Sequence, residues 1–570
     1  MLFNANARVW QILPLLVGAI GLWSADAADG QVTFVEVTES SGVKFLRNFG
    51  DDHLSSILES TGSGCAFLDY DGDGWLDLFV VNGCYLPGIS DPESDVKGVK
   101  TTSRLFRNKG KGTFEDVTEK AGLAVCSYGM AVVVADYDND GDPDMFVTNY
   151  CPTKPEYVKL KPGDELVTRN QLWRNNGNGT FTDIAEKAGI ARSLWSVGAV
   201  FLDYDRDGWL DIFVGNYLDF DPGYRLYYEA DEFPGPLAYP AQPHFLYHNN
   251  KDGTFSEVSK QAGITKRGRA MGANAADFDN DGLMDIYVAN DAMENYLYKN
   301  KGDGTFAEIA LESGTAFSAN GDSSSAMNGV VGDYDRDGLL DLFVPDIKYK
   351  NLYRNLGKDV FEDVTAVAGI AENLGQFASW GGGFMDFDND GDLDLFVTNG
   401  SDHRLDTQEN VLLENVPGPK GKPIFRDVGP KCGEYFLTKN VGRGTAIGDY
   451  DNDGDLDVFV VTLEVGRPSE LVRNDGGNKK HWILLSLSGT KSNRDAVGAR
   501  VTLKAGGAIQ TRERGTADSY LSQNDPRLHF GLGDLKKIDA ITVRWPSGIV
   551  QELKDVAADQ ILKVQEPEGK

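Results

Sequence analysis

Short apolar runs and acidic, glycine-bearing strings alternate along most of the chain, and the alternation is written seven times. A run such as Cys65-Ala66-Phe67-Leu68 leads into Asp-x-Asp-x-Asp-Gly-x-x-Asp, and a run such as Leu78-Phe79-Val80-Val81 leads out. Both flanks read as β-strands, so each acidic string is the turn of a hairpin. A second signal follows each hairpin. Leu105-Phe106-Arg107-Asn108, Leu172-Trp173-Arg174-Asn175, Leu297-Tyr298-Lys299-Asn300 and Leu352-Tyr353-Arg354-Asn355 are short strands that run into glycine-bearing turns needing positive φ. A fourth strand follows, such as Thr113-Phe114-Glu115-Asp116-Val117. Four strands per unit in seven units predict a β-propeller. A linear solenoid of the same units is the alternative, but neither end of the array carries the polar cap a solenoid needs.

The acidic positions are Asp69, Asp71, Asp73 and Asp77 in the first copy, then Asp136, Asp138, Asp140 and Asp144. The third and fourth copies place them at Asp203, Asp205, Asp207 and Asp211, and at Asp277, Asp279, Asp281 and Asp285. The last three give Asp333, Asp335, Asp337 and Asp341; Asp386, Asp388, Asp390 and Asp394; and Asp449, Asp451, Asp453 and Asp457. Clustered oxygens on a tight turn, with glycine where the backbone bends, suit a hard divalent cation. Positions one, three, five and nine would supply carboxylates and position seven a backbone carbonyl. Four carboxylates about 5 Å apart make six repelling pairs, each worth roughly 3 kcal/mol at an effective dielectric near 20. These loops are therefore expected to open without a cation, and about seven structural Ca²⁺ ions are predicted. An EF-hand is excluded, because it needs a glutamate at position twelve and flanking helices. Position twelve is Val80, Val147, Val214, Val288, Val344, Val397 and Val460.

Charge agrees with a cation-loaded protein. The 570 residues carry a formal net charge of −32, which argues against nucleic acid and anionic membranes as partners. At the start, a short basic region ends at Arg8, an apolar run extends from Val9 to Trp23, and Ala25-Asp26-Ala27 follows. That order predicts a signal peptide over residues 1–27, a secreted or extracytoplasmic location, and no membrane span in the mature chain. Of five cysteines none forms a CxxC pair, which leaves zinc and redox motifs unsupported. Cys84 and Cys151 share an offset in neighbouring repeats, which makes a bridge between them conceivable, although connectivity is not set by sequence.

The repeated string resembles FG-GAP/VCBS repeats, found in integrin α-subunit propellers and many secreted bacterial proteins. From His481 to about Glu566 the chain resembles the ASPIC/UnbV domain, through Val497-Gly498-Ala499-Arg500, Ser519-Tyr520-Leu521-Ser522-Gln523-Asn524, Leu528-His529-Phe530-Gly531-Leu532-Gly533 and Val543-Arg544-Trp545-Pro546-Ser547-Gly548. The pair of modules is similar to the cartilage acidic protein family, and the resemblance implies calcium binding and extracellular interaction without established catalysis. The expected fold is therefore all-β. A seven-bladed β-propeller with calcium-binding hairpin loops spans residues 28–476, and a small all-β domain, sandwich or partial barrel, spans 477–570.

Departures from the repeat mark candidate binding regions. Insertions at Gly83–Ser103, Tyr150–Asn170 and Tyr217–His244 follow equivalent strands and should build one raised rim. The third is rich in aromatics: Tyr217, Phe220, Tyr224, Tyr227, Tyr228, Phe233 and Tyr239. The rim is expected to bind an extracellular protein or glycan. Arg500, Arg544, His529 and Trp545 are either a second binding surface or packing residues, with packing favoured. Six histidines and no recognisable catalytic motif argue against an enzyme. The alternative is a calcium-dependent, lyase-like polysaccharide enzyme, for which Arg225 or Arg269 would be the basic residue.

Overall fold

In a computed structural model of the chain, the described residues are 32–95, 97, 101–161, 165–192, 194–224 and 233–568. The proposed signal peptide lies outside them, as do Tyr227, Tyr228 and Arg225. The fold is all-β, with helices of five residues or fewer among the described residues.

Each acidic string joins the first two strands of an antiparallel sheet, and among the described residues there are seven such sheets, six of four strands and the fourth with a short fifth strand, Ser324–Ser325. The first comprises Cys65–Leu68, Asp77–Val80, Arg104–Asn108 and Phe114–Asp116. The first strands of the others are Gly129–Ala135, Ser196–Leu202, Ala270–Ala276, Val330–Gly332, Ser379–Met385 and Gly442–Gly448. The seventh sheet is completed from the far end of the chain: Thr33–Glu36 pairs with Glu470–Asp475, Thr33 opposite Asp475. Each first strand packs on the next sheet's first strand, and the first sheet's packs on the seventh's. That close approach explains the small residues there. A Cβ at Gly198 would lie 2.7 Å from the Gly272 carbonyl carbon.

A repeated asparagine ties neighbours together. Asn108, Asn175, Asn249, Asn300, Asn355, Asn415 and Asn474 each lie at or within two residues of the end of a third strand. Their side-chain amides donate to carbonyls of the preceding sheet at Tyr70, Tyr137, Tyr204, Phe278, Tyr334 and Phe387. Asn108 completes the set by donating to Tyr450 of the seventh sheet at 2.8 Å.

Beyond residue 480 lie two more sheets. His481–Ser488 pairs with Leu528–Gly533 and, in parallel, with Gln560–Gln565. Arg500–Ala505 pairs with Ala508–Glu513 and Lys537–Arg544, which pairs with Val550–Ala557. Ile483, Leu485, Phe530 and Val564 from one sheet share a core with Val501, Leu503, Ile541 and Val543 from the other. Of the two architectures the sequence allows, this is the sandwich.

The segment between Glu513 and Leu528 leaves the sandwich and bonds to the first strands of six sheets and, in the fifth, to Asn328 just before the first strand. Those strands pair on one side only, so each turns a row of unpaired backbone groups inward, and buried groups of this kind need partners. Gln523 donates its backbone N–H to the Cys65 carbonyl, and its side-chain amide exchanges two bonds with Val134. Thr516 Oγ1 accepts from Phe201, and the Ala517 carbonyl accepts from Asn274 and Asn328. Ser519 Oγ accepts from Gly382, and Asn524 Oδ1 from Ile447. Tyr520 is fully buried and donates to the Thr61 carbonyl at 2.9 Å. A methyl group at Gly64 would overlap the Leu521 carbonyl, so this glycine admits the segment. The sandwich and the seven sheets thus share one interior.

Candidate metal centres

Each acidic loop curls because position four adopts a left-handed conformation, as at Asn139 (φ 56°), Asn280 (φ 66°) and Asn452 (φ 57°). The glycine at position six does the same, as at Gly141 (φ 101°). The curl points backbone N–H groups inward, where carboxylates of positions one and nine accept them. Asp69 accepts from Asp73 and Gly74 at 3.0 and 2.9 Å, while Asp77 accepts from Tyr70 and Asn108 at 3.0 and 2.7 Å. The bond from the position-nine aspartate to the third-strand asparagine recurs at Asp144, Asp211, Asp285, Asp341, Asp394 and Asp457. Aspartates at position nine are all buried, and so are those at position one apart from half-buried Asp69; positions three and five lie nearer the surface.

The structure brings the predicted side chains together. Asp69, Asp71 and Asp73 hold ligand oxygens within 4.8 Å of one another, as do Asp136, Asp138 and Asp144, and Asp203, Asp205 and Asp211. Burial, reinforced by neighbouring carboxylates, pushes Asp77 up to about 8, Asp136 and Asp203 to about 7, and Asp386 and Asp449 to about 8. Buried oxygens of Asp138, Asp333, Asp451 and Asp457 have no hydrogen-bond partner. Carboxylate oxygens clustered within one curled loop, some of them buried without a partner, are the donor set of a hard cation, so the residues present fit Ca²⁺.

Two contributions were not anticipated from the sequence. The basic residue before the third-strand asparagine lies over the loop of its own sheet: Arg107 Nη2 is 2.8 Å from Asp73, Lys299 Nζ 3.0 Å from Asp281, and Arg354 Nη2 2.9 Å from Asp337. His248 takes that place in the third sheet, 3.2 Å from Asp211. The sixth sheet has Glu414 there, and Lys480 reaches Asp388 at 2.9 Å instead. The basic character of that position was visible in the repeat. Second, the sandwich packs against several of the acidic loops. Asp136 N donates to Asp495, Gly531 N donates to Asp386 Oδ2 at 3.1 Å, and Arg527 donates to the Asp449 carbonyl.

Arg500 and Arg544 both grip Asp277, through its carbonyl and its carboxylate, while Arg500 also pairs with Glu513 at 2.9 Å. Trp545 and His529 are buried, and burial holds His529 down at about 3. All four candidates at that end are packing residues, and the two arginines act on an acidic loop.

The insertions leave the opposite ends of the sheets, since they join second strands to third. Tyr150, Trp195, Tyr217, Phe220, Phe233 and Tyr239 pack into one buried cluster that also contains Tyr520. Most of the third insertion's described aromatics are therefore buried in packing, while Tyr227 and Tyr228 lie outside the described residues. Tyr217, Phe220 and Tyr239 support the rim from beneath, Phe233 packs there and also reaches the cleft described below, and Tyr224 is exposed. His244 is likewise buried, accepts the Asn216 N–H at 3.2 Å and is held down to about 3 by burial. Arg269, the basic residue of the lyase alternative, donates to the Tyr239 carbonyl at 3.1 Å beneath the same rim. Above the cluster opens a cleft of about 1170 Å³ lined by His53, Tyr85, Lys159, Phe233, His403 and Arg404.

The chain carries FG-GAP-like repeats over residues 69–147, 162–214, 238–288 and 278–344, and an ASPIC and UnbV domain over 489–570. These matches take in the first five acidic loops. It is homologous to cartilage acidic protein 1: 25% identical to that of Xenopus tropicalis over 502 residues, 85% of this chain and 70% of the relative. To the Homo sapiens protein it is 24% identical over 522 residues, 88% of this chain and 71% of the relative. Among solved structures, an Agrocybe aegerita lectin specific for non-reducing terminal N-acetylglucosamine aligns at 14% identity and TM-score 0.36, covering 73% of this chain and 100% of the lectin. An exotype rhamnogalacturonan lyase aligns at 13% identity and TM-score 0.34, covering 72% of this chain and 71% of the lyase. Scores this low carry no argument about function.

Proposed function

We propose that this protein is a secreted, calcium-loaded, seven-bladed β-propeller that serves as an extracellular binding or scaffold protein. The observation that carries the metal reading is the set of buried, unpartnered carboxylate oxygens inside the acidic loops. A divalent ion coordinated by positions one, three, five and nine would neutralise them, and about seven ions would move the formal charge from −32 to about −18. Seven sheets of four consecutive antiparallel strands, one with a short extra strand, whose first strands are in mutual contact support the propeller reading.

The ions in this reading are structural, because the sandwich packs against several of the loops. Binding then falls to the opposite end, where exposed His53, Lys159, His403 and Arg404 border the cleft. An extracellular protein or glycan is the partner class proposed for it, and homology to cartilage acidic protein 1 supports the extracellular setting. No helix among the described residues is long and apolar enough to cross a membrane.

The test is a glycan-array and pull-down screen on the full secreted chain with calcium present, run beside a polysaccharide-cleavage assay. Capture that is lost in the double variant His403→Ala, Arg404→Ala supports the proposal. Turnover of a polysaccharide that survives the same variant contradicts it.

A further inference from the structure

The cysteine placement points to a bond that sequence offsets did not select. Cys84 opens the first insertion, and Cys126 lies just before the second sheet, in the short strand Cys126–Ser127. Gly129 N donates to the Asn82 carbonyl at 3.0 Å, so the chain leaving the first sheet runs beside the chain entering the second. Cys84 lies two residues beyond Asn82 and Cys126 three before Gly129, so this backbone contact brings the two thiols into one neighbourhood, where they interact with one another. Both belong to the buried cluster beneath the rim, Cys84 within it and Cys126 packed against it, half-buried.

The remaining cysteines are placed otherwise. Cys65 is buried with its thiol 3.7 Å from Ser522 Oγ, Cys151 donates to the Asn149 carbonyl, and Cys432 is buried under the seventh sheet. Cys151 thus has a backbone partner and Cys84 has Cys126, so the offset-based pairing of Cys84 with Cys151 is not the contact found. An odd count of five then resolves into one adjacent pair and three separate buried thiols, which are inert in apolar surroundings.

We infer that Cys84 and Cys126 form a disulfide that staples the first insertion to the base of the second sheet. Formation joins the two sulfurs, and the two thiols together lose two protons and two electrons. A disulfide-bearing oxidant, such as oxidised glutathione, takes them and leaves as two thiols. Cys126 is the less buried partner, so its thiolate attacks the oxidant's disulfide first, releasing one thiol and leaving a mixed disulfide that the thiolate of neighbouring Cys84 then attacks, releasing the second thiol. The strand containing Cys126 also pairs in parallel with Leu166–Val167 of the second insertion, Cys126 opposite Leu166. One bond would therefore anchor the roots of two rim insertions at once.

The purified full chain, incubated with oxidised glutathione, would be denatured, alkylated without reductant, proteolysed and mapped by mass spectrometry. Because oxidant is supplied, the outcome does not depend on where the protein resides. The expected result is a linked peptide pair containing Cys84 and Cys126, two hydrogens lighter than the reduced pair, with label on Cys65, Cys151 and Cys432 only. Cys126→Ser should then label at all four remaining cysteines. A linked pair joining Cys84 to Cys151, or label on all five cysteines of the unsubstituted chain after oxidation, would overturn the inference.

Discussion

The two ends of the seven-sheet array are built on opposite plans. At the loop end one device recurs seven times, with a curled acidic turn, a buried position-nine aspartate and an asparagine bond to the preceding sheet. At the rim end no two insertions match, and stability comes from one shared aromatic cluster. The regular end carries the sandwich against several of its loops, whereas the irregular end leaves a cleft open. Repetition here serves assembly, and irregularity is where a ligand has room.

That contrast can be broken deliberately, and the largest effect is expected where the two ends meet. Gln523 bridges the axial segment to Val134 through a buried N–H and a buried carbonyl. Gln523→Ala strands both groups and should cost about 4 kcal/mol in denaturant unfolding, near the upper range for two lost buried partners. An intact unfolding midpoint would mean that the segment merely fills space.

Next comes the link between sheets. Asn415 donates to the Tyr334 and Leu393 carbonyls at 2.9 and 3.1 Å. Asn415→Ala should cost about 2 kcal/mol, read from the same curves, with little change in the cleft's binding.

The pH dependence of stability separates calcium-free from calcium-loaded protein. Burial raises the Asp77 and Asp211 carboxyls from 3.8 to about 8 and about 7. A raised folded value means that stability is greatest below the unfolded value and is lost as pH climbs through the folded one. Chelated protein should therefore melt several degrees higher at about pH 5 than at about pH 8. Calcium-loaded protein should show the reverse, because the ligands must be ionised to bind. Parallel pH profiles for the two forms would show that the loops hold no ion.

The smallest stability effect belongs to the rim. His403→Ala and Arg404→Ala change exposed side chains and should shift unfolding by less than about 0.5 kcal/mol while reducing partner capture. A larger loss of stability would make these residues part of the scaffold.

The same contrast explains how much could be read from the chain. Acidic turns, their flanking strands and the C-terminal signature are local patterns, and a repeat multiplies each signal. Even there the meaning of Arg107 and its equivalents was hidden, because a strand position does not say which loop its side chain crosses. The Ser519–Asn524 string was visible as a signature, but its partners lie up to about 450 residues away and leave no local period. Aromatic richness misled at the third insertion, since composition does not distinguish a ring facing a ligand from one such as Phe220 packed under a rim. Cys84 and Cys151 shared an offset, yet an insertion's path, which repeats nothing, brought Cys126 to Cys84.

The central claim is that the acidic loops close around divalent ions. Counting calcium in the desalted full chain by native mass spectrometry, with and without prior chelation, tests it most directly. The account predicts about seven ions per chain, released by chelator together with a melting temperature lower by more than about 10 °C, as expected when several sites stabilise the fold. A chain that carries no calcium, and melts at the same temperature in chelator as in millimolar calcium, would contradict it.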